Sequence, residues 1–249
     1  MKRNDGRRNE VIETAEKLFY TNGYEKTSIQ DILDSMHFSK GGFYHYFDSK
    51  LSLLEAICEQ RTEEMCEMAR AVSGNDYKRV SERLNAILGS SALWKTGSRS
   101  FVGLLINVAY REDGALMREK MKNAQLRGML PLIEQAVHDG CESGEFCTSD
   151  QRDTAELILR LYMQFTDDIA FLLAGEDDEK VMMDRMVHKL WVYRGAIERV
   201  LVAPLGSIVL FDVDELNALG MEILKGRAQQ KAAATAAADD DTDKPSAGC

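Results

Sequence analysis

Ser39, Lys40, Gly41 and Gly42, with Tyr44 and His45 close behind, place a hydroxyl, an ammonium, a length of nearly bare backbone, a phenol and an imidazole on one short segment. These groups suit non-covalent contact with an anionic, hydrogen-bonding surface. Two adjacent glycines cost a helix about 1 kcal/mol each relative to alanine, so their presence suggests that the backbone must come close to a phosphate or a base edge. A glycine-rich loop ahead of a strand is the bland alternative, and helical patterns on both sides argue against it.

The elements that would hold this segment can be read on either side of it. Thr27 or Ser28 can cap a helix whose apolar residues Ile29, Ile32, Leu33 and Met36 share one face. His37 and Phe38 break the period, and Ser39 restarts it as a second N-cap. Phe43 and Phe47 then meet at i, i+4, which marks them, with Tyr46, as anchors in a core. A third start follows at Lys50. Upstream, Val11, Ile12, Ala15, Leu18 and Phe19 form the stripe of a first helix that Asn22-Gly23 ends. Two short helices around a tight turn, followed by a longer one, have the pattern of a DNA-reading helix-turn-helix.

The runs RRNEVIETAEKLFYTNGYEKTSI and SKGGFYHYFDSKLSLL resemble the TetR family of transcriptional regulators over about the first sixty residues. One departure is His37, in a turn where that family usually has glycine; histidine is enriched at positive φ, so the turn is expected to survive. The resemblance implies an all-α fold, with a three-helix DNA-binding head over 1–49 and a larger helical regulatory and dimerisation domain over 50–225. It also implies contacts residue by residue. Thr27 would touch a phosphate, Ser39, Lys40, Gly41 and Gly42 would meet bases or backbone, Tyr44 and His45 would reach phosphate or thymine methyls, and Lys50 would grip the DNA backbone. The bland readings are that Thr27 only caps, Tyr44 only packs and Lys50 is only a solvated charge.

A net charge of -10 and a pI near 5.0 are unusual for a nucleic-acid binder, but the charge is unevenly spread. The first fifty residues hold eight basic and eight acidic side chains, and the rest of the chain carries 33 acids against 23 bases. Lys2, Arg3, Arg7 and Arg8 read as a basic arm able to follow a groove, or else as a solvated tail, while an acidic body would discourage sequence-blind binding. With no bilayer-length apolar run and no signal-peptide core, the expected location is the cytoplasm. Five cysteines without a CxxC pair suit reduced thiols, and His138, Cys141 and Cys147 match no strong zinc spacing. No metal and no cofactor are called for. A phosphate loop, HExxH and a nucleophile elbow are all absent from the sequence, so the chain is not expected to be an enzyme.

The body reads as successive helices: Lys50 to about Val72, Tyr77 to Leu93, Ser100 to Val108, and Gly114 to His138 with Pro131 inside and Gly140 and Gly144 closing the stretch. Two more, about 152–175 and 177–202, are apolar around much of their circumference. In the family such a pair from each subunit makes a four-helix interface, so the resemblance implies a homodimer on a palindromic double-stranded DNA operator. It also implies a small-molecule effector of unknown identity. Trp94, Phe101, Tyr110, Tyr162 and Phe165 are the aromatic candidates for its pocket, with simple core packing as the alternative. A short extra helix is expected over 205–224, and a low-complexity tail over 226–249. The rival reading is an interaction adaptor that keeps the helix-turn-helix fold without reading DNA.

Overall fold

The computed structural model describes residues 2–90, 103, 105–106, 108–110 and 114–226. Among the described residues every regular element is a helix. The first is α1 (Lys2–Asn22), which buries Val11, Ile12, Ala15 and Phe19. It takes in the basic segment at its start, so Arg7 and Arg8 lie on a helix and not in an extended arm. Arg7 pairs with Glu10 at 2.6 Å and the Arg8 guanidinium lies 5.4 Å from the centre of the Phe47 ring.

Next come α2 (Ile29–Met36) and α3 (Lys40–Tyr46), then the long α4 (Lys50–Ser73). Ser49 caps α4 and shares a reciprocal capping box with Ser52, which satisfies amides that a helix start leaves without partners. The head's core runs past residue 49. Leu53, Leu54, Ala56, Ile57 and Cys58 of α4 join Phe19, Ile32, Leu33, Phe43 and Phe47 in one apolar cluster, which Leu105, Ala109 and Met117 of the body also enter. The head is therefore tied to the body by shared burial as well as by a helix. A forked ion pair adds to this, since Arg61 on α4 donates to both carboxylate oxygens of Glu16 on α1 at 2.7–2.9 Å.

The body is built from α4, α5 (Val80–Ser90), α6 (Ala115–Glu142), α7 (Gln151–Ala174) and α8 (Glu179–Leu201) around a second core. Helix α6 continues beyond His138. Gly140 lies inside it because the Phe146 ring folds back onto that position, and the chain turns at Gly144, whose φ of +73° favours glycine. Pro131 is accommodated inside α6 on an exposed site. The expected helix at Ser100–Val108 falls largely outside the described residues, as do residues 91–93 of the one before it.

The segment after α8 also departs from expectation. A turn and an extended stretch occupy 203–212, with Gly206 at φ +88°, and helix α9 covers 213–226. Asp212 caps it, accepting from the amides of Asp214 and Glu215. The stretch is strapped to the body by two side chains. The buried Glu198 carboxylate accepts from the amides of Gly206 and Ile208, and Asn85 pairs with the backbone of Ser207 and Val209. Ile208, Leu210 and Phe211 are buried behind it. The tail expected from 226 onward falls outside the described residues except for Gly226, which ends the described part of α9.

Candidate DNA-reading site

Helix α2 begins at Ser28, whose side chain accepts from the Asp31 amide at 3.1 Å while Asp31 accepts from the Ser28 amide at 2.7 Å. That backbone hydrogen bond, with help from the Ser28 hydroxyl, holds the Asp31 carboxyl below the usual carboxylate range. The helix ends at His37, which adopts the left-handed conformation at φ 50°, ψ 45° and lets the Phe38 amide reach back to the Leu33 carbonyl at 2.9 Å. Histidine thus fills a position that usually selects glycine.

Phe38 is half-buried under the next helix, its ring stacked 6.4 Å from that of Tyr46. Ser39 caps α3 by accepting from the Gly42 amide at 3.1 Å. The two glycines have separate reasons. A Cβ on Gly42 would stand 2.7 Å from Phe38 Cζ, so that glycine is required by the head's own packing, whereas a Cβ on Gly41 would meet nothing within 4 Å. Phe43 and Phe47 are buried beneath the helix, with ring centroids 5.7 Å apart. Ser39, Lys40, Gly41, Tyr44 and His45 remain on the surface, Tyr44 with 46% of its area exposed. The structure therefore gathers them on the outer face of one short helix.

Two expected contact residues are placed differently. Thr27 is corrected: it is fully buried, and its hydroxyl donates inward to the carbonyls of Gly23 at 2.8 Å and Leu18 at 3.3 Å. Its hydroxyl is thus used within the fold, and the exposed cap beside it is Ser28. The signal missed in the sequence was the division of labour in Thr27-Ser28, one residue closing the loop from α1 and the other starting α2. Lys50 is half-buried, and its ammonium donates to the carbonyls of Tyr24 at 2.8 Å and Thr27 at 3.2 Å while lying 4.3 Å from the centre of the Tyr24 ring. It fastens the α1–α2 loop to the start of α4.

Residues 11–57 match the family described as bacterial regulatory proteins, tetR family. The head of this chain is similar to that family. YuxN of Bacillus subtilis, an uncharacterised HTH-type transcriptional regulator, is 54% identical over 44 residues, 18% of this chain and 15% of that protein. The HTH-type transcriptional repressor KstR2 of Rhodococcus jostii is 33% identical over 81 residues, 32% of this chain and 40% of that one. The matched stretches thus span less than half of these relatives. The crystal structure of a TetR-family transcriptional regulator from Pectobacterium atrosepticum superposes with a TM-score of 0.60, covering 82% of this chain and 98% of that one at 20% identity. At that identity the likeness is one of fold. It covers the helical body as well as the head.

Of the five aromatic residues expected to line a pocket, three are described. Trp94 and Phe101 lie outside the described residues. Tyr162 and Phe165 are buried on α7, their ring centroids 6.5 Å apart, with Tyr193 of α8 5.8 Å beyond Phe165. Tyr110 is drawn elsewhere, its hydroxyl donating at 2.8 Å to the buried Asp167 and its ring meeting Phe171 edge-on at 5.1 Å. Burial, with the negative charge of Asp167, pushes the Tyr110 phenol well above its usual range, so the tyrosine remains a donor. Lys122 of α6 completes the pairing of Asp167. Near α7, His138 is taken up by a 3.0 Å contact with Gln151, and among the described residues no cluster of histidine, cysteine and carboxylate side chains could hold a metal ion. No helix among them is long and apolar enough to cross a membrane.

Proposed function

We propose that the chain is a dimeric, sequence-specific DNA-binding repressor, released from a palindromic operator by a small-molecule effector. The observation that carries this reading is the exposed Ser39-Lys40-Gly41 tip with Tyr44 and His45, supported behind a left-handed turn by the buried Phe43 and Phe47. A hydroxyl and an ammonium at the tip suit phosphate and guanine, and the flat phenol and imidazole suit thymine methyls and phosphates. Lys50 joins them as a residue that positions the head through its carbonyl contacts.

Two-fold pairing through α7 and α8 is supported by their outer sides. Leu157 and Phe171 on α7 and Val181, Trp191 and Val192 on α8 are each about half exposed although the opposite faces of both helices fill the core. A symmetric pair of heads would address half-sites about 34–36 Å apart, one turn of duplex. The route between body and head runs along α4 and through the turn at 108–110, where Ala109 enters the head's core and Tyr110 holds Asp167 of α7. An effector acting here must favour one of two spacings of the heads.

Selection of bound fragments from a random duplex pool tests the proposal. Recovery of an inverted repeat, with affinity that falls steeply as salt is raised, is the expected result. Absence of binding at every ionic strength would leave the adaptor reading in its place.

A further inference from the structure

Three aromatic rings on one flank of the head touch in series. Phe38, in the turn before α3, is fixed at its backbone by the 2.9 Å bond from its amide to the Leu33 carbonyl, which the left-handed His37 makes possible. Its ring points end-on at α3, since a β-carbon on Gly42 would stand 2.7 Å from Cζ and 3.1 Å from each Cε atom. One turn further along α3 the Tyr46 ring lies nearly parallel to it, at 18° with centroids 6.4 Å apart, and Tyr46 in turn meets the His45 imidazole edge-on at 5.0 Å. Both spacings fall in the range of about 4.5–7 Å that favourable ring pairs adopt. Tyr44 has a separate support. Its ring stands edge-on against the buried Phe43 at 5.4 Å.

We propose that Phe38 is a positioning residue for DNA reading: it aims the His45 imidazole through Tyr46, a role that rests on the DNA-reading function proposed for α3. His45 and Tyr44 are exposed, Phe38 and Tyr46 are half-buried, and Phe43 is buried. An exposed side chain can choose among staggered rotamers, and every rotamer that misses the duplex subtracts from the binding-competent population. A recognition surface therefore needs its side chains held to within about 0.5 Å by neighbours that are themselves packed. For Tyr44 that neighbour belongs to the core of the head. For His45 it is a stack whose far end is anchored outside α3, in the turn. Leucine at position 38 would keep the site apolar while removing both the flat face on which Tyr46 rests and the ring tip beneath Gly42. His45 would keep its chemistry and lose its aim.

Two double-mutant cycles test this, with affinities of the full-length chain measured on a duplex that carries the inverted repeat recovered by selection. F38L is expected to weaken binding about as much as H45A, and the two together little more than either alone. That departs from additivity by more than the roughly twofold within which independent substitutions combine. The cycle of F38L with Y44A should be additive within the same twofold, because Tyr44 leans on Phe43. A merely structural Phe38 would lower affinity by the same factor in every background and so couple to neither residue. Circular dichroism checks that each variant is folded at the temperature of the titration. If F38L fails to fold, Y46L, which removes the middle ring, takes its place in both cycles with the same expectation. Additivity with H45A, or coupling to Y44A as strong as to H45A, overturns the proposal and leaves the DNA-reading one standing. A wild-type chain that binds no duplex at any ionic strength removes the DNA-reading proposal, and the role of Phe38 with it.

Discussion

The two glycines of α3 look equivalent in the sequence and are not equivalent in the fold, which makes them the sharpest probe of the recognition surface. Alanine at Gly41 would project into open space and should raise head stability by up to about 1 kcal/mol through helix propensity. If the backbone there lies against DNA, the same methyl group must also weaken operator binding. G41A is therefore expected to melt higher and bind less tightly, and a variant that melts higher with unchanged affinity would remove Gly41 from the contact surface. G42A should instead lower the thermal midpoint, because its methyl group would have to displace the Phe38 ring, an overpacking cost of about 1–3 kcal/mol. Tyr44 is half exposed, and Y44A should leave stability nearly unchanged while costing about 1–3 kcal/mol of operator affinity in a gel-shift titration. The surface-exposed members of the candidate site were legible because residue type and spacing suffice to describe an exposed helical tip. Thr27 and Lys50 were not, since only the packed α1–α2 loop shows that their polar atoms turn inward to its carbonyls.

At the scale of elements, the helical periods and their caps located α2 to α4, the end of α1 and the pair α7 and α8 to within a few residues, but not the start of α1, which takes in the segment read as a basic arm. What could not be read was which distant side chains complete an element. Helix α5 shows this: the amides of Val80 and Ser81 at its start donate to the Glu145 carboxylate at 2.7 Å and 3.2 Å, a cap supplied from the α6–α7 turn some 65 positions later. The Ser81 hydroxyl donates to it too, and Arg79 lies 3.3 Å away. The same is true of the 203–212 strap, whose shape depends on Glu198 and Asn85 and not on its own residues. Burial pulls the Glu145 carboxyl upward, but the hydrogen bonds from Ser81 and the Val80 amide, with Arg79, outweigh it and hold the group below the usual carboxylate range. A lowered folded pKa means that its stabilisation is fully present above the unfolded value, about 4.3, and is lost as pH falls through the folded value. E145Q should therefore lose about 1 kcal/mol at neutral pH, as for a weakened N-cap, and the gap from wild type should close in acid. Thermal midpoints from pH 7 down to pH 3 check this, and parallel curves would mean that Glu145 does not act as the cap.

For the whole molecule, the acidic body, the neutral head and the half-exposed apolar sides of α7 and α8 belong to one physical account. A single neutral head has little electrostatic hold on DNA, because non-specific affinity comes mainly from phosphates neutralised by lysine and arginine. Two heads joined rigidly gain by effective concentration what each lacks alone, provided that their spacing matches the duplex. Trp191 tests the joint. It lies on α8 with about half of its surface exposed and Arg194 stacked 5.0 Å from its ring, so a charge there can disrupt a partner's approach while leaving the core of its own chain undisturbed. W191E is expected to unfold at nearly the wild-type temperature and to sediment close to the 28.0 kDa of one chain at concentrations where the wild type sediments as twice that mass. Its binding to an inverted repeat should fall to that of an isolated half-site. The dependence of log affinity on log salt should flatten to about half, since each phosphate contributes roughly -0.9 to that slope and only one head engages. A variant that keeps both the doubled mass and the steep slope would show that Trp191 stands outside the pairing surface. A variant that becomes single yet retains full affinity for the repeat would show that each head reads DNA alone, and the coupling of effector to operator through head spacing would fall with it.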